Sequence, residues 1–147
     1  MKKSKDLLTI HVMGKLSYFM TGKSMLEKYG DLGNPILTVQ INGVEISNVL
    51  VDLGAAINVI TTEIMHALGL CNLKHTPLVL ELVDRSTVKP VGKLEYVTIS
   101  VDSWHYPIYF LVLHMQSSVG NHPLILGRPW LATADAYIGC RSGHMVI

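Results

Sequence analysis

From position 49 to position 60 the chain reads Val-Leu-Val-Asp-Leu-Gly-Ala-Ala-Ile-Asn-Val-Ile, an apolar run with a single carboxylate inside it. Of the six Asp and five Glu, only Asp52 is placed this way. An ionised carboxylate withdrawn from water is costly unless it is hydrogen-bonded or its pKa moves. Any fold that buries this run must therefore also supply partners for Asp52. A buried strand that turns sharply at Gly54 meets both demands, because a tight turn points backbone N–H groups at the carboxylate. Taken alone, Asp52 has two readings: a strand-end aspartate that ties a turn, or a working acid.

The surroundings read as an all-β domain over 34–147. Beyond Asn34-Pro35 the chain is dense in Val, Ile, Leu and Thr, with turn signals about every ten residues. Strands at 36–41 and 44–47 flank Asn42-Gly43, the dipeptide that favours a type I′ hairpin turn. Thr61-Thr62-Glu63 caps a short helix over 64–68, which stops at Gly69. Strands at 78–83 and 88–92 flank the polar tip Asp84-Arg85-Ser86-Thr87, a second hairpin with its charges outward. Two more strands, 94–101 and 106–113, lead through a polar loop to Leu124-Ile125-Leu126-Gly127. Pro129 opens a helical turn through Trp130-Leu131-Ala132, and Ala136-Tyr137-Ile138 forms a last strand before a turn at Ser142-Gly143. Residues 1–33, rich in Lys and broken at Gly14 and Gly22, read as a flanking arm or linker, weakly helical.

Composition narrows the function classes. Lys and Arg total 12 against 11 Asp and Glu, a net charge of +1, too balanced for binding a phosphate backbone, so no nucleic-acid partner is expected. The longest stretch free of formal charge, 103–127, holds two Pro, three His and several amides and hydroxyls, which is no membrane span. After the basic start the apolar run is interrupted by Asp6, His11 and Lys15, unlike a signal peptide. Two cysteines, Cys71 and Cys140, with no CxxC pair and no Asn-x-Ser/Thr acceptor, fit a reduced intracellular, cytoplasmic protein. Thr21-Gly22-Lys23-Ser24 lacks the earlier Gly of a phosphate loop. His66, Cys71 and His75 have no fourth ligand at a familiar spacing, so neither metal nor cofactor is expected. No Gly-x-Ser-x-Gly elbow is present for a serine nucleophile. Trp104, Tyr106, Tyr109 and Phe110 lie at strand spacing and read as packing residues.

Two segments carry a resemblance. Leu50-Val51-Asp52-Leu53-Gly54-Ala55 is similar to the catalytic loop of the retropepsin-like aspartic proteases, and Ile125-Leu126-Gly127-Arg128-Pro129-Trp130-Leu131 to their second hallmark, a hydrophobic pair plus Gly ahead of a helix. Over about residues 31–147 the chain resembles this family, in particular the protease segment of plant Ty3/gypsy-type retrotransposon polyproteins. The resemblance implies a closed β-barrel with one or two short helices, one lobe per chain. It implies an aspartic endopeptidase that hydrolyses extended peptides such as its own polyprotein. Asp52 would be the catalytic residue, with Leu53, Gly54 and Ala55 shaping its loop. Asp84, Arg85 and Ser86 would lie at the tip of a substrate-covering flap, and Ile125, Leu126, Gly127 and Arg128 would support the site. Aspartic proteolysis needs two carboxylates sharing a proton, one as base and one as acid. This chain offers one, so a two-fold homodimer is implied, with activity at acidic to neutral pH.

The chain departs from the family pattern at two positions near Asp52. Leu53 stands where the family has Thr or Ser, and Ala56 replaces a frequent Ser or Thr. Both changes remove hydroxyls that brace paired loops. They leave open an alternative, a catalytically weak or inactive module kept for dimerisation or peptide binding. A barrel for apolar ligands is a third reading, in which the spacing of Asp52 and Gly127 carries no meaning.

Overall fold

The computed structural model describes residues 8–12, 16, 20, 35–114, 122–138 and 145–147. The readings made for the rest of the arm, for the Thr21–Ser24 segment, for Cys140 and for the Ser142-Gly143 turn lie outside them. Strands are β1 (Leu8–His11), β2 (Ile36–Ile41), β3 (Val44–Val51), β4 (Val59–Thr61), β5 (Leu73–Lys74), β6 (Leu78–Glu81), β7 (Thr87–Val88), β8 (Gly92–Val101), β9 (Trp104–Leu113), β10 (Leu124–Leu126), β11 (Tyr137–Ile138) and β12 (Met145–Val146). Two short helices, α1 (Thr62–Ala67) and α2 (Arg128–Ala134), complete the described elements. No described helix is long and apolar enough to cross a membrane.

The expected hairpin turn forms as read: Asn42 and Gly43 both take positive φ, 52° and 76°, the backbone that a type I′ turn requires. The N-cap of α1 is also as read, with Thr61 Oγ1 accepting the Ile64 N–H at 3.3 Å and Gly69 at φ 71° just beyond the helix. Three details differ. The second hairpin ends at Val88, because Pro90 supplies no N–H for a ladder, and Gly92 instead begins β8. A two-residue strand, β5, follows α1 and pairs with β8. In the arm, where only weak helix was read, Leu8–His11 is a strand parallel to β6.

Strands β2, β3, β10, β4, β9 and β8 pair in that order, and β8 returns to β2 at Gln40 and Ser100, closing a barrel. This is the closed all-β architecture expected, with two helices. Strand β10 lies between β3 and β4, parallel to the first and antiparallel to the second. The segment joining β3 to β4 therefore crosses over the end of β10, and Asp52 sits at the start of that crossing.

Period-two alternation sorts the side chains of these strands into two cores. Val49, Val51, Ile60, Phe110, Val112, Leu124 and Leu126 point into the barrel. Their neighbours Leu50, Val59, Leu111, Leu113 and Ile125 point to the outer face, where a second buried cluster covers them. Both faces are thus dry, which is why the sequence at 49–51, 59–60, 110–113 and 124–126 is continuously apolar rather than alternating.

Helix α2 closes one end of the barrel. Pro129 occupies its first turn, where a missing N–H costs nothing, and Trp130 is wholly buried in the inner core. Its ring meets Tyr106 edge-on, with centroids 6.1 Å apart and planes at 79°. The indole N–H has no hydrogen-bond partner among the described residues. Trp130→Ala is expected to cost about 3–5 kcal/mol in urea unfolding through lost burial and the cavity left behind. Trp130→Phe, which gives up no hydrogen bond, should cost less than the alanine variant; an equal cost would show that the indole edge, not its bulk, holds the helix.

Candidate active site

The site is assembled where β3 ends. The Asp52 N–H donates to the Leu126 carbonyl at 2.8 Å, the last link between this strand and β10. The chain then turns through Leu53 and Gly54, and the Ala55 N–H closes the turn on the Asp52 carbonyl at 3.1 Å. Inside the turn the Gly54 N–H donates to Asp52 Oδ1 at 2.9 Å. Asp52 is 3 % exposed, and the partner its burial demands is the amide of its own turn. Such a bond to a charged acceptor is worth roughly 1.5–3 kcal/mol. The strand-end role of Asp52 is therefore real, and it leaves Oδ2 directed elsewhere. That oxygen accepts the backbone N–H of Leu16, from the arm, at 3.3 Å.

The next residues differ in exposure. Leu53 is 45 % exposed and Gly54 is exposed, so the tip of the turn faces outward, while Ala55 is buried. The second segment singled out in the sequence comes directly against this loop. The Arg128 N–H donates to the Ala55 carbonyl at 2.9 Å. The Gly127 N–H donates to Asn58 Oδ1 at 2.8 Å. Gly127 has extended backbone, so its glycine identity is not a matter of φ. A Cβ there would stand 2.2 Å from the Ile57 carbonyl oxygen and 2.6 Å from that of Ala55, contacts that only a bare Cα avoids. Leu126, Gly127 and Arg128 thus meet the Asp52 loop through backbone atoms, and Ile125 adds its side chain to the outer core beneath it. The Arg128 side chain is exposed, and it is its backbone that holds the loop.

Asn58 is the residue that sequence reasoning missed. It is fully buried; Oδ1 takes the Gly127 N–H and Nδ2 donates to the Tyr109 carbonyl at 3.0 Å, while its own carbonyl accepts from Leu111 N–H at 2.9 Å. One amide therefore links the loop to β9 and to the start of α2. The signal was in the sequence: Asn58 is a polar side chain between Ile57 and Val59, inside the same apolar run as Asp52. The contact of Leu16 with Asp52 had no signal of that kind.

The hairpin of β6 and β7 pairs Leu80 with Val88 and Glu81 with Thr87. At its tip the Arg85 N–H donates to the Leu82 carbonyl and the Ser86 N–H to Asp84 Oδ1 at 3.0 Å, with Arg85 at φ 68°. Asp84, Arg85 and Ser86 are exposed and tie their own turn. The base of the hairpin is buried, with Leu80 and Leu82 in the same outer cluster as Ala55 and Ile57 of the loop.

Titration is displaced elsewhere. Lys74 and Glu95, 3.0 Å apart on β5 and β8, hold each other charged: their hydrogen bond raises the lysine and lowers the glutamate, Lys93 adding to the second effect. The pair is solvated and is a surface contact of low energetic weight. Among the described residues no three His, Cys, Asp or Glu side chains converge as a metal site would require.

The aspartyl protease family profile matches residues 37–130. Two solved structures are similar in fold. The EIAV protease complexed with the inhibitor HBY-793 is 26 % identical, with a TM-score of 0.59 over 77 % of this chain and 99 % of that one. The retroviral protease-like domain of Ddi1 from Leishmania major is 18 % identical, with a TM-score of 0.58 over 79 % and 86 % of the two chains. No sequence match was found among curated proteins.

The role of Asn58 is open to a pH test. Asn58→Asp keeps the acceptor for Gly127 but buries a carboxyl whose neutral form alone can donate to Tyr109. Burial raises the pKa of that carboxyl above its unfolded value, so the folded state binds the extra proton and the variant loses stability as pH rises. Thermal melts should show the deficit against the unaltered chain growing from pH 4.5 to pH 7. A deficit independent of pH would mean that the side chain is not enclosed as described.

Proposed function

The chain belongs to the aspartyl protease family, and on that premise we propose that it is a retropepsin-type aspartic endopeptidase that works as a homodimer on extended peptides. The observation that carries this reading is the placement of Asp52: a buried carboxylate at the mouth of a tight turn, braced from behind by Leu126, Gly127 and Arg128. The exposed turn tip at Leu53 and Gly54 is the part of the loop free to meet its copy across a two-fold axis.

In the proposed reaction two Asp52 side chains share one proton. The ionised one takes a proton from a water held between them, and the resulting oxygen attacks the scissile carbonyl carbon. The protonated one donates to the carbonyl oxygen. Collapse of the tetrahedral intermediate breaks the C–N bond: the leaving amine takes up the proton that the first carboxylate acquired, and a hydroxyl of the intermediate returns a proton to the second carboxylate, which restores the shared proton and leaves a carboxylic acid product. Like charges a few ångströms apart cannot both ionise, so the pair titrates in two separated steps and activity falls within the acidic to neutral range. Gly54 admits the substrate backbone closely because no Cβ intervenes. Asp84, Arg85 and Ser86, at the tip of the β6–β7 hairpin, would close over the peptide and exclude water. A polyprotein containing this chain is a fitting substrate.

A second reading is favoured by one observation. Leu53 presents an apolar side chain at the turn tip, where a hydroxyl would brace the partner loop, and Ala56 offers none either. Loss of such a brace, about 1 kcal/mol per hydrogen bond, weakens a dimer. The domain would then bind peptides or its own copy without useful turnover.

Asp52→Asn separates the two. Gly54 keeps an oxygen to donate to, so fold and sedimentation behaviour should be preserved, while cleavage of a mixed peptide library at about pH 5, read by mass spectrometry, should vanish. Equal cleavage by the variant would refute the assignment. Peptide binding without cleavage by the unaltered chain, across pH 4 to 7, would establish the binding module instead.

A further inference from the structure

We propose that the cleft beside Tyr96 is a binding site for a small planar aromatic acid, separate from the Asp52 carboxylate and independent of the protease reading. Strand β8 carries a bulge there. Its register with β9 shifts between Leu94 and Val97, so Glu95 and Tyr96 together face Tyr109. Tyr96 takes φ 56°, in the left-handed region where a bulky side chain is strained, and it is 82 % exposed. Folding asks for neither feature: a glycine would hold the same bend without strain, and a ring left in water contributes no burial. Strain kept around an exposed aromatic ring marks a side chain that the bulge has re-aimed for contact.

The ring borders a cavity of about 240 Å³. Pro107 and Tyr109 of β9 and Pro129 of α2 supply apolar walls, and Lys93 and Glu95 of β8 supply charge. A volume below the usual range for drug-sized ligands suits a system of one or two rings. Tyrosine and proline faces favour a flat occupant, which stacks on the rings and covers the walls. The sign of its charge follows from the lysines. Lys74 Nζ holds Glu95 Oε1 at 3.0 Å, and Lys93 Nζ, at 3.4 Å from Oε2, is the looser partner. Lys93 Nζ also stands over the Tyr109 ring, 5.9 Å from its centroid. Two ammonium groups against one carboxylate leave the cleft cationic, and the Tyr109 face already carries a cation. A quaternary ammonium is therefore disfavoured, and an anionic group within reach of Lys93 is favoured.

The cavity also adjoins the bracket behind the Asp52 loop. Buried Asn58 lies against it, and Asn58 Oδ1 accepts the Gly127 N–H at 2.8 Å. Pro129, in the wall, follows Arg128, whose N–H holds the Ala55 carbonyl. An occupant of the cleft therefore registers at the Gly127 amide as well as at Lys93, Tyr96 and Tyr109.

The test uses the full chain with naphthalene-2-carboxylate as probe and naphthalene-2-carboxamide as its neutral counterpart. In proton–nitrogen correlation spectra the carboxylate is expected to shift those four amides and to bind about tenfold more tightly than the carboxamide. Lys93→Gln should erase that preference and leave the carboxamide affinity unchanged. Tyr96→Gly relieves the strained φ, so its thermal midpoint should equal or exceed that of the unaltered chain while it binds the carboxylate about tenfold more weakly. A lowered midpoint would show that the ring supports the fold and would overturn the inference. Equal affinity of the unaltered chain for both probes, undiminished binding by Tyr96→Gly, or shifts scattered over the whole surface would each overturn it as well.

Discussion

Where Gly127 passes Ala55 and Ile57, two stretches of chain 69 positions apart run closer than any side chain allows, and the rest of the site depends on that approach. The approach lets the chain donate two backbone N–H groups in succession, from Gly127 to Asn58 and from Arg128 to Ala55, while Leu126 accepts from Asp52. These bonds fix the loop against β10 on one side and, through Asn58, against β9 on the other. The crossing segment between β3 and β4 has no sheet ladder of its own, so without this bracing its backbone polar groups would be buried and unpaired.

Burial of Asp52 follows from the same arrangement. The strand that delivers it is dry on both faces, because the inner core takes Val51 and the outer core takes Leu50. A carboxylate at the end of such a strand has little water to rely on, and the turn amide of Gly54 serves as its first partner. The local solution is an ordinary aspartate turn. What distinguishes it is that the second carboxylate oxygen lies on the side of the outer cluster, where the arm and the base of the hairpin converge.

That convergence gives the outer cluster a dual character. It stabilises the domain as any buried apolar patch does, yet part of its cover comes from a strand held on one edge and from a hairpin only two residues deep in its ladder. Elements of that kind open at low cost relative to the barrel, whose strands are paired on both sides. The barrel side of Asp52 is thus the more firmly held, and the side of β1 and the hairpin the less.

Much of this was legible in the chain. The type I′ turn at Asn42-Gly43, the Thr61 cap, the two strands before the polar loop and the helix opened by Pro129 follow from local rules, since backbone preference and capping act within a few residues. Asp52 and Gly127 stood out for their types: a charge among hydrophobes, and a glycine between a strand and a helix. Asn58 carried the same kind of signal more weakly, since an amide in an apolar run is less anomalous than a carboxylate. The end of the hairpin strand at Val88 turned on the donor that Pro90 lacks. What only the tertiary structure decided is what faces what: that β10 inserts between β3 and β4, that Gly127 meets the carbonyls of Ala55 and Ile57, and that Leu16 reaches Asp52. Contacts across 36 and 69 positions are set by how whole strands close into a barrel, and no local pattern of residues encodes that closure.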